Sequence, residues 1–182
     1  MPENAKMVFK GEIFEVWQWE QKLYDGSTTT FERLRRPDTV LVVPTTKDAV
    51  LVLDEQQPDS DSFITTPAGR LEEGEYPLDG AKRELKEETG YESDDWEPLM
   101  ELHPVSKMEW VIYIYIARNC KKMAEPQLDP GEKITVREVP FDEFLALCDE
   151  PTFRAQELSH LMLRALFDPA KKEELHKKLF GE

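Results

Sequence analysis

Two short and almost unbroken apolar runs, TVLVVP at 39–44 and AVLVLDE at 49–55, are separated only by Thr-Thr-Lys-Asp. Runs of this length without polar alternation predict paired strands covered on both faces, and so the centre of the core. Upstream, GEIFEVWQWEQ and STTTFERLRR flank Asp25-Gly26, a pair suited to the positive φ of a hairpin turn. This predicts two strands within residues 10–36, a β appendage on the N-terminal side. From Leu78 to Thr89 the period changes: Leu78, Ala81 and Leu85 fall at i, i+3 and i+7, which predicts a helix ended by Gly90. Strands are predicted at about 97–103, 110–118 and 134–139. Helices follow in FDEFLALC and in FRAQELSHLMLRALF, the latter with Thr152 as N-cap, and the tail AKKEELHKKLF is amphipathic and mostly charged. Strands, one helix, strands and then helices, with no internal repeat, predict an α+β fold with a mixed sheet and not a βαβ series. The segments expected are a β appendage at 1–37, a main domain at 38–150 and a helical extension at 151–182.

Composition narrows the functions open to such a chain. At 182 residues it is long enough for one sizeable core. A formal charge of −15 with dispersed Lys and Arg argues against nucleic-acid binding, because affinity for a phosphate backbone needs clustered cations. The longest apolar run, WVIYIYIA, has strand length, short of the ~20 residues that cross a bilayer. The first residues, MPENAKMVFKGE, lack a secretory pattern, so no membrane association and a cytoplasmic location are expected. Cys120 and Cys148 stand apart, with no CxxC spacing and no histidine at ligand spacing, which predicts two reduced thiols.

The chemistry concentrates in GRLEEGEYPLDGAKRELKEETGY, residues 69–91. On a helix Glu84 and Glu88 share a face and Glu87 lies on the adjoining row, so their charges repel by a few tenths of a kcal/mol, roughly. A hard divalent cation would reverse the sign of that cost. The alternative is a solvated face on which Lys82, Arg83 and Lys86 screen the acids. The spacing weighs for the cation. Gly69, Glu75, Arg83, Glu84, Leu85, Glu87, Glu88 and Gly90 form G-x5-E-x7-R-E-L-x-E-E-x-G, which resembles the signature of the Nudix hydrolase family. The one departure is Tyr91, where a branched aliphatic residue is usual.

The resemblance implies a Nudix α/β/α sandwich with a mixed β-sheet and an N-terminal antiparallel β-hairpin appendage, holding Mg²⁺ or Mn²⁺ and hydrolysing a nucleoside diphosphate linked to another group. By position in the motif, Glu84 and Glu88 are expected as metal ligands and Glu87 as a ligand or water-holding partner. Arg83 and Glu75 are expected as the salt bridge that fixes the helix to its loop, and Gly69 and Gly90 as turn residues.

Features outside the motif resemble the ADP-ribose and nucleotide-sugar pyrophosphatase branch. Pro67-Ala68-Gly69 is similar to that branch's P-A-G stretch, which makes the Ala68 carbonyl a candidate ligand. QLDPGEKITVREVPFDEF resembles its second catalytic loop, with Glu132 as a further ligand or base and Asp129 second. Pro104 and Glu109 resemble a proline-bearing loop after the motif, although S-P-G is missing, and Glu109 is the alternative to Glu132 as the assisting catalytic acid. Arg36, then Arg35, are candidates for phosphate contacts. Trp17 and Trp19 are candidates for stacking on a nucleobase, or they fill an interface. A strand-end arginine usual in the branch is replaced by Gln56-Gln57-Pro58, and the histidines form no cluster. The function so implied is hydrolysis of ADP-ribose or a related nucleoside-diphosphate sugar by a homodimer joined through the appendage. The alternatives are a triphosphate or a dinucleotide such as NADH as substrate, or a nucleotide-sensing module without turnover.

Overall fold

The computed structural model describes residues 1–58 and 60–181. Its strands, in chain order, are β1 (Lys6–Lys10), β2 (Glu15–Lys22), β3 (Thr28–Arg35), β4 (Thr39–Pro44), β5 (Val50–Gln56), β6 (Phe63–Thr65) and β7 (Ala68–Arg70), then β8 (Tyr91–Glu92), β9 (Asp95–Leu102), β10 (Met108–Glu109), β11 (Ile112–Arg118), β12 (Lys121–Lys122) and β13 (Lys133–Val139). The helices are α1 (Pro77–Thr89), α2 (Phe141–Ala146), α3 (Ser159–Phe167) and α4 (Pro169–Phe180), with short 3-10 turns at Leu147–Asp149 and Gln156–Leu158.

The two apolar runs become β4 and β5. β4 sits inside a mixed sheet of order β7-β4-β11-β9, parallel to β11 and antiparallel to β7. β5 sits between β13 and β6 in an antiparallel sheet. Side chains alternate across each strand. Val40, Val42 and Leu51 share a core with Ala81 and Leu85 of α1. Leu41, Val43, Val50 and Val52 share the opposite one with Phe144, Phe153, Met162 and Leu179. Helices on both faces therefore explain why these strands carry no polar alternation. Each buried Val or Leu contributes about 1.5–3 kcal/mol, more than the whole ~1 kcal/mol span of strand propensity, so burial decides the placement. The architecture is the expected α+β sandwich.

The segment 151–182 is part of that core: Leu158, Met162, Leu175 and Leu179 are buried in the same cluster as β4 and β5. Its last helix is tied down by Thr45 Oγ1 donating to the Leu179 carbonyl (2.9 Å) and Arg118 Nε donating to the Lys178 carbonyl (2.8 Å). Asp168 caps α4 by accepting from the Ala170 and Lys171 amides, with Pro169 opening the helix.

The structure departs from expectation in three places. The appendage is more than a hairpin: β1 pairs with β2, and β10 from the main domain pairs in parallel with β3, Glu109 opposite Arg35. β1 is exposed along its whole length and β10 is two residues long, so neither left a hydrophobic period to read. Thr152 is not a helix cap. Its hydroxyl bonds to Glu150, and α3 begins only at Ser159, because residues 152–154 run beside β6 and carry Phe153 into the core. Gly69 lies within β7 and not at a turn. A Cβ there would overlap the Glu84 carboxylate, so glycine is needed for close approach. Gly90 does hold a left-handed conformation, φ +73°, and its amide donates to the Lys86 carbonyl.

Candidate active site

The loop before α1 is clamped to the helix by one arginine. Arg83 Nε and Nη2 each donate to a different oxygen of Glu75, both at 2.9 Å, and Glu75 also accepts from the Glu72 amide. Such a fork fixes orientation as well as distance. Gly80 makes room beneath it, since a Cβ there would press on Leu71 and Glu75. Arg83 Nη1 reaches Glu84 (2.7 Å) and Glu87 (3.1 Å), and Nη2 also reaches the Arg70 carbonyl (3.1 Å). The Glu75 contact, followed by those to Glu84 and Glu87, raises the proton affinity of Arg83, and the same contact holds Glu75 below the usual carboxylate range. The motif's arginine is thus the counter-charge for one side of the acidic face.

The other side has none. Glu88 is only 6% exposed, and its sole bonded partner among the described residues is the Ala68 amide, which donates to Oε2 at 3.1 Å. Burial, then the charges of Glu84 and Glu55, push its pKa well above the ordinary value, and Glu132 adds to this. Glu84 is shifted the same way by burial, with Glu87 and Glu132 opposing the relief from Arg83. It is the Ala68 N–H, within the P-A-G stretch, that meets Glu88.

Glu55 had no signal in the sequence beyond a polar end to an apolar run. It stands at the end of β5, 6% exposed, accepting from Gln57 Nε2 at 2.7 Å, and its pKa is raised by burial and by Glu132. Pairing across the sheet sets Ile134 on one side of it and Phe63 on the other. Glu132, just before β13, is near enough for its charge to act on Glu55. Four carboxylates from three chain segments, residues 55, 84, 88 and 132, therefore act on one another. Among the described residues no three acids or histidines converge closely enough to cage an ion by themselves. The donor set still suits a hard divalent cation, which takes oxygen ligands and keeps open positions for water and phosphate. Carboxylates whose charge is disfavoured where they stand are the chemistry such an ion relieves.

Against the clamped loop lies a cavity of about 970 Å³, within the ~300–1,000 Å³ range of ligand pockets. Its walls come from the appendage (Arg33, Arg35), the linker (Arg36), the loop at 72–75 and the segment 103–111. Arg36 is sandwiched between Trp110 (4.5 Å) and Phe14 (5.8 Å), and burial together with nearby Arg70 lowers its pKa. A half-buried guanidinium beside a second cation favours an anionic ligand. Glu109 faces this cavity, in an ion pair with the Met1 ammonium, and is not among the charges that act on Glu88. Trp17 bonds to Glu15, and Trp19 is buried against Phe31 with Arg33 over its ring. Neither indole lines the cavity.

The chain is similar to several known proteins. Residues 35–161 match the NUDIX domain. The methanol dehydrogenase activator of Bacillus methanolicus is 33% identical over 151 residues, 81% of this chain and 82% of that protein. The ADP-ribose pyrophosphatase of Bacillus subtilis is 26% identical over 148 residues, 79% of this chain and 80% of that one. The ADP compounds hydrolase NudE of Escherichia coli is 25% identical over 169 residues, 88% of each. The crystal structure of an ADP compounds hydrolase has a TM-score of 0.73 at 22% identity, covering 89% of this chain and 90% of that one, which shows the shared fold.

Proposed function

The chain belongs to the NUDIX family, and from that premise we propose that it hydrolyses the diphosphate bond of ADP-ribose or a related nucleoside-diphosphate sugar, with Mg²⁺ or Mn²⁺, giving a nucleoside monophosphate and a sugar phosphate. The observation that carries this reading is the buried Glu88, repelled by Glu84, Glu55 and Glu132 at the end of a helix braced by Arg83. The names of two relatives, an ADP-ribose pyrophosphatase and an ADP compounds hydrolase, favour an ADP-bearing substrate.

When bound, the divalent ion supplies charge neutralisation on the diphosphate and acidifies a coordinated water. Glu84, Glu88 and the Ala68 carbonyl would hold it. Arg83 and Glu75 keep α1 and its loop in place, and Glu87, half-exposed beside them, orients water at the helix surface. Of the acids weighed as general base, Glu132 is favoured, because its charge acts on both Glu84 and Glu88. Glu109 belongs to the wall of the cavity. That cavity takes the nucleoside side, with Arg36 and Arg35 facing the phosphates. Trp17 and Trp19 shape the appendage that carries Arg33 and Arg35, and would contact a base only from a second copy.

Such a second copy is proposed to pair through the appendage, where Met7, Val8, Phe9 and Phe14 are each 40% exposed or more. A panel of ADP-ribose, other nucleoside-diphosphate sugars, NADH and triphosphates, each with Mg²⁺ and then with a chelator, tests the reading. Turnover of ADP-ribose or a diphosphate sugar that the chelator stops is the expected result. Pyrophosphate release from triphosphates alone would contradict it.

A further inference from the structure

After α2 the chain does not go straight into its next helix. Residues 152–154 lie along β6: the Ile64 amide donates to the Thr152 carbonyl (2.9 Å), and the Arg154 amide donates to the Ile64 carbonyl (2.8 Å). In an extended segment successive side chains leave on opposite faces. Phe153 enters the core beside α2 and α3 and is 1% exposed. Arg154 leaves on the other face, where its guanidinium sits 3.7 Å over the ring of Phe63.

That ring adjoins the carboxylates. Phe63 and Glu55 are directly paired across β6 and β5, so their side chains stand next to each other on one face. The positive charge of Arg154 is felt at Glu55, as is the negative charge of Glu132. Across this face Glu55, Phe63 and Arg154 follow in order, with Glu132 close enough for its charge to act on Glu55 and Glu55 close enough to act on Glu88 of α1.

Arg154 is held without being neutralised. Among the described residues its guanidinium makes no hydrogen bond and no ion pair within 4.0 Å, and the residue is exposed. Stacking fixes the plane of the group while leaving its forked donors open, the state that favours bidentate contact with a phosphate. Arg83, by contrast, is fully engaged by Glu75, Glu84 and Glu87.

We propose that Arg154 is a phosphate-binding residue, contacting the diphosphate from the β6 edge of the carboxylate face while Arg36 approaches from the cavity beyond the clamped loop. This inference rests on the diphosphate reading above. It adds a contact on a loop outside the motif, supplied by pairing of that loop with β6.

The test uses the full chain and two probes: binding of inorganic pyrophosphate with Mg²⁺ by calorimetry, and steady-state hydrolysis of ADP-ribose. Losing a charge-assisted contact to phosphate costs about tenfold or more in affinity. Arg154→Ala is expected to weaken pyrophosphate binding and raise KM by that factor, with kcat changed less and Tm unchanged. Arg154→Lys is expected to recover part of the loss, and Arg154→Glu to exceed it. Affinity and KM within twofold of wild type for Arg154→Ala would overturn the proposal, as would a loss that tracks Tm and is not recovered by lysine. A wild-type protein that binds pyrophosphate but cleaves no diphosphate sugar defeats the functional reading alone, and Arg154 is then judged on the binding constants.

Discussion

Glu88 is the residue on which the site turns, and its environment makes two predictions. A carboxyl whose folded pKa is raised by burial and by neighbouring acids binds its proton more tightly in the native state than in the unfolded one. Stability without metal is then highest below the ordinary carboxylate range and falls as pH rises through the raised native value. Glu84 and Glu55 act in the same direction. Thermal melts from pH 4.5 to 8.5 with a chelator are expected to show this decline, and Mg²⁺ is expected to reverse it at the alkaline end. Glu88→Gln removes the buried charge, so its metal-free Tm at pH 8 should exceed that of wild type while turnover falls by about 10²–10⁴-fold. An unchanged Tm together with unchanged turnover would place the ion elsewhere. Gly69→Ala is expected to keep the fold and lose most activity, because the added methyl displaces the flexible Glu84 carboxylate; wild-type rates would refute the close approach. The motif made most of these residues legible in advance, since each sits at a fixed spacing on one helix and its loop. Glu55, Gly80 and Arg154 were not legible. They reach the site through strand pairing or packing between segments far apart in the chain, which a local pattern does not encode.

Elements follow the same division. β4, β5 and α1 were readable because each is buried on a consistent face, and burial leaves a period in the sequence. β1 and β10 left none, being exposed or two residues long. The start of α3 was misread for a different reason: a Pro-Thr pair looks like a helix opening, but the backbone groups after it are taken by β6. Tertiary pairing outweighed the local signal. The end of α1 makes a prediction at this scale. Gly90 combines φ +73° with a position where a Cβ would collide with the Ala124 carbonyl. Gly90→Ala should therefore cost about 1–3 kcal/mol, more than the fraction of a kcal/mol typical of a surface substitution. Chemical denaturation measures it, and a loss below 0.5 kcal/mol, roughly the surface level, would show that this turn is not constrained as described.

For the whole molecule, a chain of charge −15 still places several arginines where an anion is expected. Arg33, Arg35 and Arg36 line the cavity, and Arg154 stands by the carboxylates. The exposed apolar strand β1 beside that cavity is expected to be covered in a dimer. Sedimentation should show two copies, and Phe9→Lys should shift the equilibrium toward one; a monomer at all concentrations would refute the pairing. The most direct test of the account is the quantified product of ADP-ribose incubated with wild type and with Glu88→Gln, each with Mg²⁺ and with a chelator. The account predicts AMP and ribose 5-phosphate in equal amounts from wild type with Mg²⁺, about a hundredth as much or less from Glu88→Gln with Mg²⁺ in the same time, and neither above background in chelator. Equal product from Glu88→Gln with Mg²⁺, or from wild type in chelator, would contradict it.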